Sequence, residues 1–235
     1  ALDPGLLELM RRAGAMHLVA LSGMPLAVVA ALLAGMLSPL LGRLGALAAT
    51  VLLFFYYWVV GPIPSLLRAL LMFSLGALLR LRGRGIDPRS LLAAALLIGL
   101  LAAPELATGL GWRLSTLALI GILWIGVPLW SRGPVLRPRK LWALLSVSFG
   151  AFLLTTPLTL DLFGEAYPAS ILSSLLLTPL VLLFVWFALL AAPGLSVLPF
   201  ITLPVRRVGE LLYRLLEGAS QAFARIPPLV RGELI

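Results

Sequence analysis

Residues 17–26 of the chain read HLVALSGMPL, within a run, residues 13–42, that contains no Asp, Glu, Lys or Arg. A run of that length can cross a bilayer, which takes about 20 apolar residues. It is interrupted by Ser22, Gly23 and Pro25, and a proline leaves the carbonyl four residues earlier without its helical partner. In lipid such a free carbonyl persists only where it faces protein or water. The stretch therefore predicts a broken membrane helix that faces an interior path.

Two interpretations of this break remain open from the residues alone. In the first, Ser22, the Leu21 carbonyl and the opened helix end form a substrate site, as in transporters with discontinuous helices. In the second, the proline only kinks the helix, and the kink packs against neighbouring helices.

The composition is that of a membrane protein. The chain has 235 residues, of which 61% are hydrophobic and 11% are charged, and its mean hydropathy is +1.10. Soluble domains carry about 25% charged residues. At about 20 residues per crossing, the length predicts an all-α, polytopic transmembrane helix bundle of about 7–8 spans with a broken first helix. We expect a single membrane domain over residues 1–235, with the bundle at 14–205 between amphipathic surface helices at 1–13 and 206–226.

The charge distribution predicts the orientation in the membrane. The net charge is +9, and 17 of the 18 cationic side chains are arginine. The loops at Arg43, 80–89 and 132–140 hold nine of them, whereas the alternate short loops hold only Arg113. Because basic loops stay cytoplasmic, eight crossings would place both termini outside. An anionic partner, lipid headgroups or nucleic acid, is the other source of the excess.

The residue inventory predicts neither metal nor cofactor chemistry. The chain has no cysteine, so disulfides and thiolate sites are excluded, and its single histidine, His17, cannot form a histidine cluster. We expect no enzyme activity. Since the chain begins with Ala and not Met, we expect it to be a piece of a longer protein.

Arg68 lies inside the third predicted span, residues 63–79. An arginine within a span is costly and is by default a candidate functional residue. Its helical face also carries Ser65 and small residues, so this face could line a path. The alternative is an arginine whose side chain snorkels to the nearby interface.

Other polar residues suit the lining of the same path. Ser115 lies near the start of the fifth predicted span, 114–130, and the seventh span has hydroxyl side chains every four residues. The predicted substrate path comprises His17, Ser22, Gly23, Pro25, Ser65, Arg68, Ser115, Ser170, Ser174 and Thr178.

Further local signals concern helix ends and interfaces. Asp87-Pro88 is predicted to cap and begin the fourth span, and residues 104–113 to form a glycine-rich loop. Pro179 is expected to break the seventh span, and Pro193-Gly194 to separate it from an eighth. The run FFYYW at 54–58 is either an aromatic belt at the membrane interface or a platform on which bases stack.

Four segments, in order, resemble the ComEC-type competence family. HLVALSG at 17–23 is similar to the family signature H-L-x-A-x-S-G, and PSLLRA at 64–69 is similar to P-S-x-x-R-A. GWRLS at 111–115 stands where the family has G-F-x-L-S, with Trp112 for the usual Phe. The fourth segment, Pro157, Phe163-Gly164, Ser174 and Pro179, is similar to the family's last membrane motif, with Ser174 where Asn is common. Pro25 stands where a second histidine is usual.

The resemblance implies a function and partners. Members of this family are inner-membrane channels through which single-stranded DNA enters the cytoplasm during transformation. Full-length members often carry an oligonucleotide-binding domain and a nuclease-like, metallo-β-lactamase-like domain outside the membrane. The resemblance therefore implies single-stranded DNA, the lipid bilayer and such domains or other competence proteins as partners.

Two other classes of function are alternatives to a DNA channel. A small-molecule secondary transporter with a midplane site at the broken helix would need a matching broken segment elsewhere, for which Pro179 is the candidate. An intramembrane enzyme would use His17, Asp161 and Glu165 as acid and base groups. Asp161 and Glu165 fall in a predicted loop, where a solvated acidic loop is the simpler interpretation.

Overall fold

A computed structural model describes residues 4–15, 35–37, 39–85, 87–133, 139–197 and 202–230. The predicted broken helix, with His17, Ser22, Gly23 and Pro25, lies outside these residues, so its geometry stays a prediction.

The described chain is almost entirely helical. A 3₁₀ turn at Gly42–Leu44 precedes α2, and a π-helical turn at Ile122–Gly126 joins α6 to α7. The helices are α1 (Pro4–Arg12), α2 (Gly45–Val60), α3 (Pro64–Leu81), α4 (Pro88–Ala102), α5 (Pro104–Ala107), α6 (Leu110–Gly121), α7 (Val127–Arg132), α8 (Arg139–Phe163), α9 (Ser170–Val197) and α10 (Thr202–Ala224). Two short strands, β1 (Glu165–Ala166) and β2 (Leu229–Val230), pair antiparallel with Ala166 opposite Leu229.

Three described helices are long and apolar enough to cross a membrane, namely α3, the continuous helix Leu110–Arg132 and α8. Shorter apolar helices occur at Gly45–Val59, Pro88–Ala102 and Ser170–Phe184. The chain is therefore a helical membrane protein, as its composition predicts. The number of seven or eight spans stays a prediction.

Two predicted interruptions are wrong. Pro179 and Pro193 both lie within α9, which is helical without a break from Ser170 to Val197. A proline removes one hydrogen bond, whereas opening the backbone in an apolar segment would leave several groups unpaired, so the helix continues. No separate eighth crossing stands between α9 and α10 in the described chain.

The predicted loop at 104–113 is largely helical. Pro104 starts the short helix α5, and α6 begins at Leu110, so Trp112 and Arg113 are helical residues. The sixth span likewise extends beyond its predicted end at Leu160 to Phe163, which places Asp161 in a helix and not in a loop. Asp87 does cap α4, accepting hydrogen bonds from the backbone N–H groups of Arg89 and Ser90.

The chain divides into two compact units, the first formed by residues 1–20 and 124–235 and the second by 21–123. In the second unit α3 packs against α2, α4 and α6, and its centre is the buried cluster of Leu53, Leu66 and Leu70. The prediction of one domain over the whole chain is untested and stays a prediction.

In the first unit α10 packs against α9 and α1, and α8 packs against α9. Leu6 and Met10 of α1 are almost fully buried. The apolar sides of the amphipathic helices α1 and α10 thus serve in part as core. Their predicted position on a membrane surface stays a prediction.

Candidate functional site

Arg68 is a buried cation in the second turn of α3. The helix starts at Pro64, because the preceding Ile63 is extended and a proline suits the first helical position. The Arg68 side chain is 5% exposed, and its Nη1 donates a hydrogen bond of 2.8 Å to the backbone carbonyl of Ser115 on α6. The guanidinium therefore points into the protein, unlike the head group of a snorkelling arginine.

The charge of Arg68 has no carboxylate partner among the described residues. Its Nε is buried and forms no hydrogen bond there. The sequence from 21 to 123 contains only two carboxylates, Asp87 and Glu105. Asp87 is bound to the first turn of α4, and Glu105 is exposed on α5. An uncompensated positive charge therefore lies inside this unit.

Two of the motif-like segments, 64–69 and 111–115, meet at this site. Besides the bond from Arg68 to Ser115, Pro64 lies over the α6 end of the second segment, where a Cβ placed on Gly109 or Gly111 would be 3.6 or 3.9 Å from the proline ring. Ser65 is 8% exposed one turn before Arg68. Of the predicted path residues, Arg68 and Ser115 are thus in contact, and Ser65 lies on the helix of Arg68.

Trp112 of the second segment is a packing residue. Its side chain is 4% exposed, and it lies against Gly99 of α4, where an added Cβ would be 2.7 Å from the indole Cζ2. The glycine therefore provides the room that a tryptophan needs at this position.

A second arginine also binds a carbonyl of the helix that carries Ser115. Arg89 Nη2, in the first turn of α4, donates to the carbonyl of Leu123 at 3.2 Å, within the π-helical turn. π-helical turns disturb the regular helical hydrogen bonding and are frequent at functional sites. Hydrogen bonds from the Ser90 hydroxyl and from two backbone N–H groups hold the pKa of the neighbouring Asp87 below its usual value.

Ser170, Ser174 and Thr178 lie in the other unit, on α9. The Ser174 hydroxyl donates to the carbonyl of Ser170 in its own helix. The neighbouring Ser173, which the sequence analysis missed, is fully buried and donates to the carbonyl of Ala13 at 2.7 Å. That bond fixes the end of α1 to α9, and no local sequence pattern predicts it.

A sequence model of the family described as Competence protein matches residues 1–230. The chain belongs to this competence family. Over 193 residues it is 28% identical to the uncharacterized protein YcaI of Escherichia coli (strain K12), a match that covers 74% of this chain and 24% of that protein. The chain thus spans about a quarter of the length of this relative. No solved structure is significantly similar to it.

Membership in the competence family confirms the resemblance and identifies a competence-related membrane protein. The roles of the ten predicted path residues stay predictions, because the comparisons do not reach single residues.

Glu165, which follows α8 in this competence-family chain, lies in a cluster with Tyr167 and Arg11. Tyr167 donates to Glu165 at 2.5 Å, and Arg11 of α1 approaches the same carboxylate at 3.5 Å. Burial, followed by the bond to Glu165, raises the pKa of Tyr167 to about 12. On α1, the hydrogen bond from Arg11 lowers the pKa of Glu8. No group of three metal-ligating side chains occurs in the described ranges.

The aromatic run of α2 has an inner and an outer side. Tyr56 and Tyr57 pack against the buried leucine cluster, whereas Phe54, Phe55 and Trp58 are 61%, 61% and 73% exposed. α2 carries no charged residue, and a stacking platform for nucleic acid combines aromatic rings with cations. The helix itself therefore favours the aromatic-belt interpretation.

Proposed function

We propose that this chain is the membrane channel domain of a DNA-uptake protein, and that it passes single-stranded DNA across the inner membrane during transformation. Membership in the competence family supports the proposal. The observation that carries it is the buried Arg68, held by Ser115 at the contact between segments 64–69 and 111–115. An uncompensated cation inside an apolar protein is costly, and an anionic substrate that passes this residue would explain its presence.

The arrangement meets the two opposing requirements of strand transport. Phosphate groups need cations along the path, which arginine supplies. The strand must also move on, and a dry bidentate pair between guanidinium and phosphate would hold it too firmly. Arg68 makes one hydrogen bond, to an uncharged carbonyl. The hydroxyl oxygens of Ser65 and Ser115 add polar groups that can accept from water, although the Ser115 hydroxyl itself donates to the Trp112 carbonyl.

The partners follow from the same proposal. Nine cationic residues in alternate loops support an exit of the proposed path on the cytoplasmic side of the inner membrane. The curated relative is about four times as long as the matched part, which leaves room for an oligonucleotide-binding domain and a nuclease-like domain outside the membrane. We propose no catalytic role for the membrane domain itself.

The alternative function, a small-molecule transporter, lacks the second broken helix that it would need at Pro179. It required a segment that matches the predicted break at Pro25, and Pro179 was the candidate. Because α9 continues through Pro179, the described chain contains no such partner at that position.

The test measures the uptake of labelled DNA by transformable cells that lack the gene of this protein. These cells are complemented with the wild-type gene or with variants, at matched amounts of protein in the membrane. We expect the wild-type gene to restore uptake, measured as labelled DNA that is protected from external nuclease. Arg68→Lys should retain part of the uptake as a point charge, whereas Arg68→Leu should lose nearly all of it. Arg207→Gln, an exposed arginine on α10, serves as control and should behave as wild type. Equal uptake by cells with and without the wild-type gene would refute the proposed function.

Normal uptake by Arg68→Leu would have a narrower meaning. It would remove Arg68 from the mechanism and leave the channel proposal resting on the family membership and the predicted helix break.

A further inference from the structure

The Arg68 guanidinium is only partly satisfied in the second unit. Nη1 is bound to the Ser115 carbonyl at 2.8 Å, whereas Nε is buried without a partner among the described residues. A guanidinium presents five N–H donors in a rigid plane. The edge that carries Nε therefore lacks an oxygen acceptor among the described residues.

The charge balance limits what this acceptor can be. The residues of this unit that the structure does not describe, 21–34, 38 and 86, contain no carboxylate. Of the two carboxylates between 21 and 123, one caps α4 and the other is exposed. Arg68 is the buried cation among the described residues of the unit, so the site can neutralise one negative charge.

We propose that Arg68 is a site for a single phosphodiester group, which binds at Nε while Nη1 keeps its hydrogen bond to the Ser115 carbonyl. This inference rests on the proposed function and specifies how the strand is held. A phosphodiester carries one negative charge, which matches the single buried cation.

The Ser115 carbonyl explains why the strand is released. Nη1 stays bound to this carbonyl when a phosphate leaves, so the guanidinium is never left without any partner. The strand thus advances by exchange of one phosphate at a time and not by release of several bonds together.

The test measures the binding of fluorescent dT20 to the whole chain in nanodiscs, by anisotropy, over a series of salt concentrations. For single strands, each neutralised phosphate contributes about 0.7 to the slope of log K against log salt. Arg68→Gln should reduce the magnitude of this slope by about 0.7 and weaken binding at low salt about 10-fold or more. Arg68→Lys should keep the slope of wild type.

A matched control removes one positive charge elsewhere. Arg207 is exposed on α10 and forms no ion pair with a described residue, so Arg207→Gln should leave the slope unchanged. Thermal unfolding in the same nanodiscs checks the fold, and Arg68→Gln should be at least as stable as wild type because it removes a buried unpaired charge.

Each other outcome overturns a defined part of the argument. An unchanged slope in Arg68→Gln, with dT20 still bound, refutes the Arg68 site and leaves the channel standing. Equal decreases in Arg68→Gln and Arg207→Gln attribute the effect to net charge and also refute the site. A decrease of about 1.4 or more would mean that Arg68 orders several phosphates, which refutes a single-phosphate site. Absence of salt-dependent binding by the wild-type chain refutes both proposals.

Discussion

Arg68 is costly for the fold, since it is 5% exposed and lacks a carboxylate partner among the described residues. One hydrogen bond to a backbone carbonyl does not offset the loss of hydration of a guanidinium. Residues that reduce stability in this way are expected at functional sites.

In the second unit, Gly99 lies against the indole ring of Trp112 and leaves no room for a side chain. A Cβ at position 99 would lie within 2.7 Å of the indole, so Gly99→Ala forces the ring to move. We expect Gly99→Ala to destabilise the chain by about 1–3 kcal/mol, the usual cost of overpacking. The measurement is thermal or denaturant unfolding in detergent.

The control for this prediction is the double variant. Trp112→Phe introduces the smaller ring that the family motif commonly has, so Gly99→Ala should cost much less in that background. A cost that is equal in both backgrounds would show that the contact with Trp112 is not its cause.

At the scale of elements, α1 is attached to α9 through backbone and side chain together. Gly14 follows α1 with a φ of +70°, and a Cβ there would lie 2.8 Å from Ser170, so only glycine suits both the conformation and the space. Ser173 completes the attachment with its bond to Ala13. The end of α1 is therefore fixed to α9.

We expect Ser173→Ala to lower the free energy of unfolding by about 1–3 kcal/mol, because it leaves the buried Ala13 carbonyl unpaired. Ser174→Ala is the matched control. Its hydroxyl bonds a carbonyl of its own helix, and the change should be close to neutral. Unfolding of the two variants in detergent compares them, and equal losses would contradict the assigned role of Ser173.

The predicted break at Gly23 and Pro25 yields a second prediction at this scale. Gly23→Ala combined with Pro25→Ala should restore a continuous helix, since both changes favour helical geometry. We expect thermal stability to rise or stay level while DNA uptake falls. Unchanged uptake would reduce the break to a packing kink.

At the scale of the whole molecule, orientation in the membrane is set by the basic loops. Because the chain contains no cysteine, single cysteines can be labelled in intact cells with an impermeant thiol reagent. Gly85 and Arg132 lie in or next to basic loops, and Asp161 lies at the opposite end of α8 from Lys140. We expect Asp161→Cys to be labelled from outside, and Gly85→Cys and Arg132→Cys only after permeabilisation.

These positions avoid glycines at which a cysteine side chain would strain the backbone. Gly83 and Gly164 are also in exposed or half-exposed turns, but their φ values are +65° and +72°, a conformation in which a side chain is strained. Gly85 has no such φ and nothing within 4 Å of an added Cβ. Labelling of Gly85→Cys from outside would reverse the proposed orientation.

The sequence by itself determined the class of protein and the properties that depend on neighbouring residues. Long apolar runs led to membrane helices, Asp87-Pro88 led to the cap of α4, and an arginine within an apolar run marked Arg68 as unusual. These signals are local, because hydropathy and capping involve residues within a turn or two of each other.

Tertiary structure alone decided which groups meet. Arg68 binds a carbonyl 47 residues away and Ser173 one 160 residues away, and since every residue has a carbonyl, no side-chain pattern could have announced either partner. The sequence also did not predict that α9 continues through Pro179. A proline makes a helix break possible, but the surroundings of the helix decide whether the backbone opens or loses a single hydrogen bond.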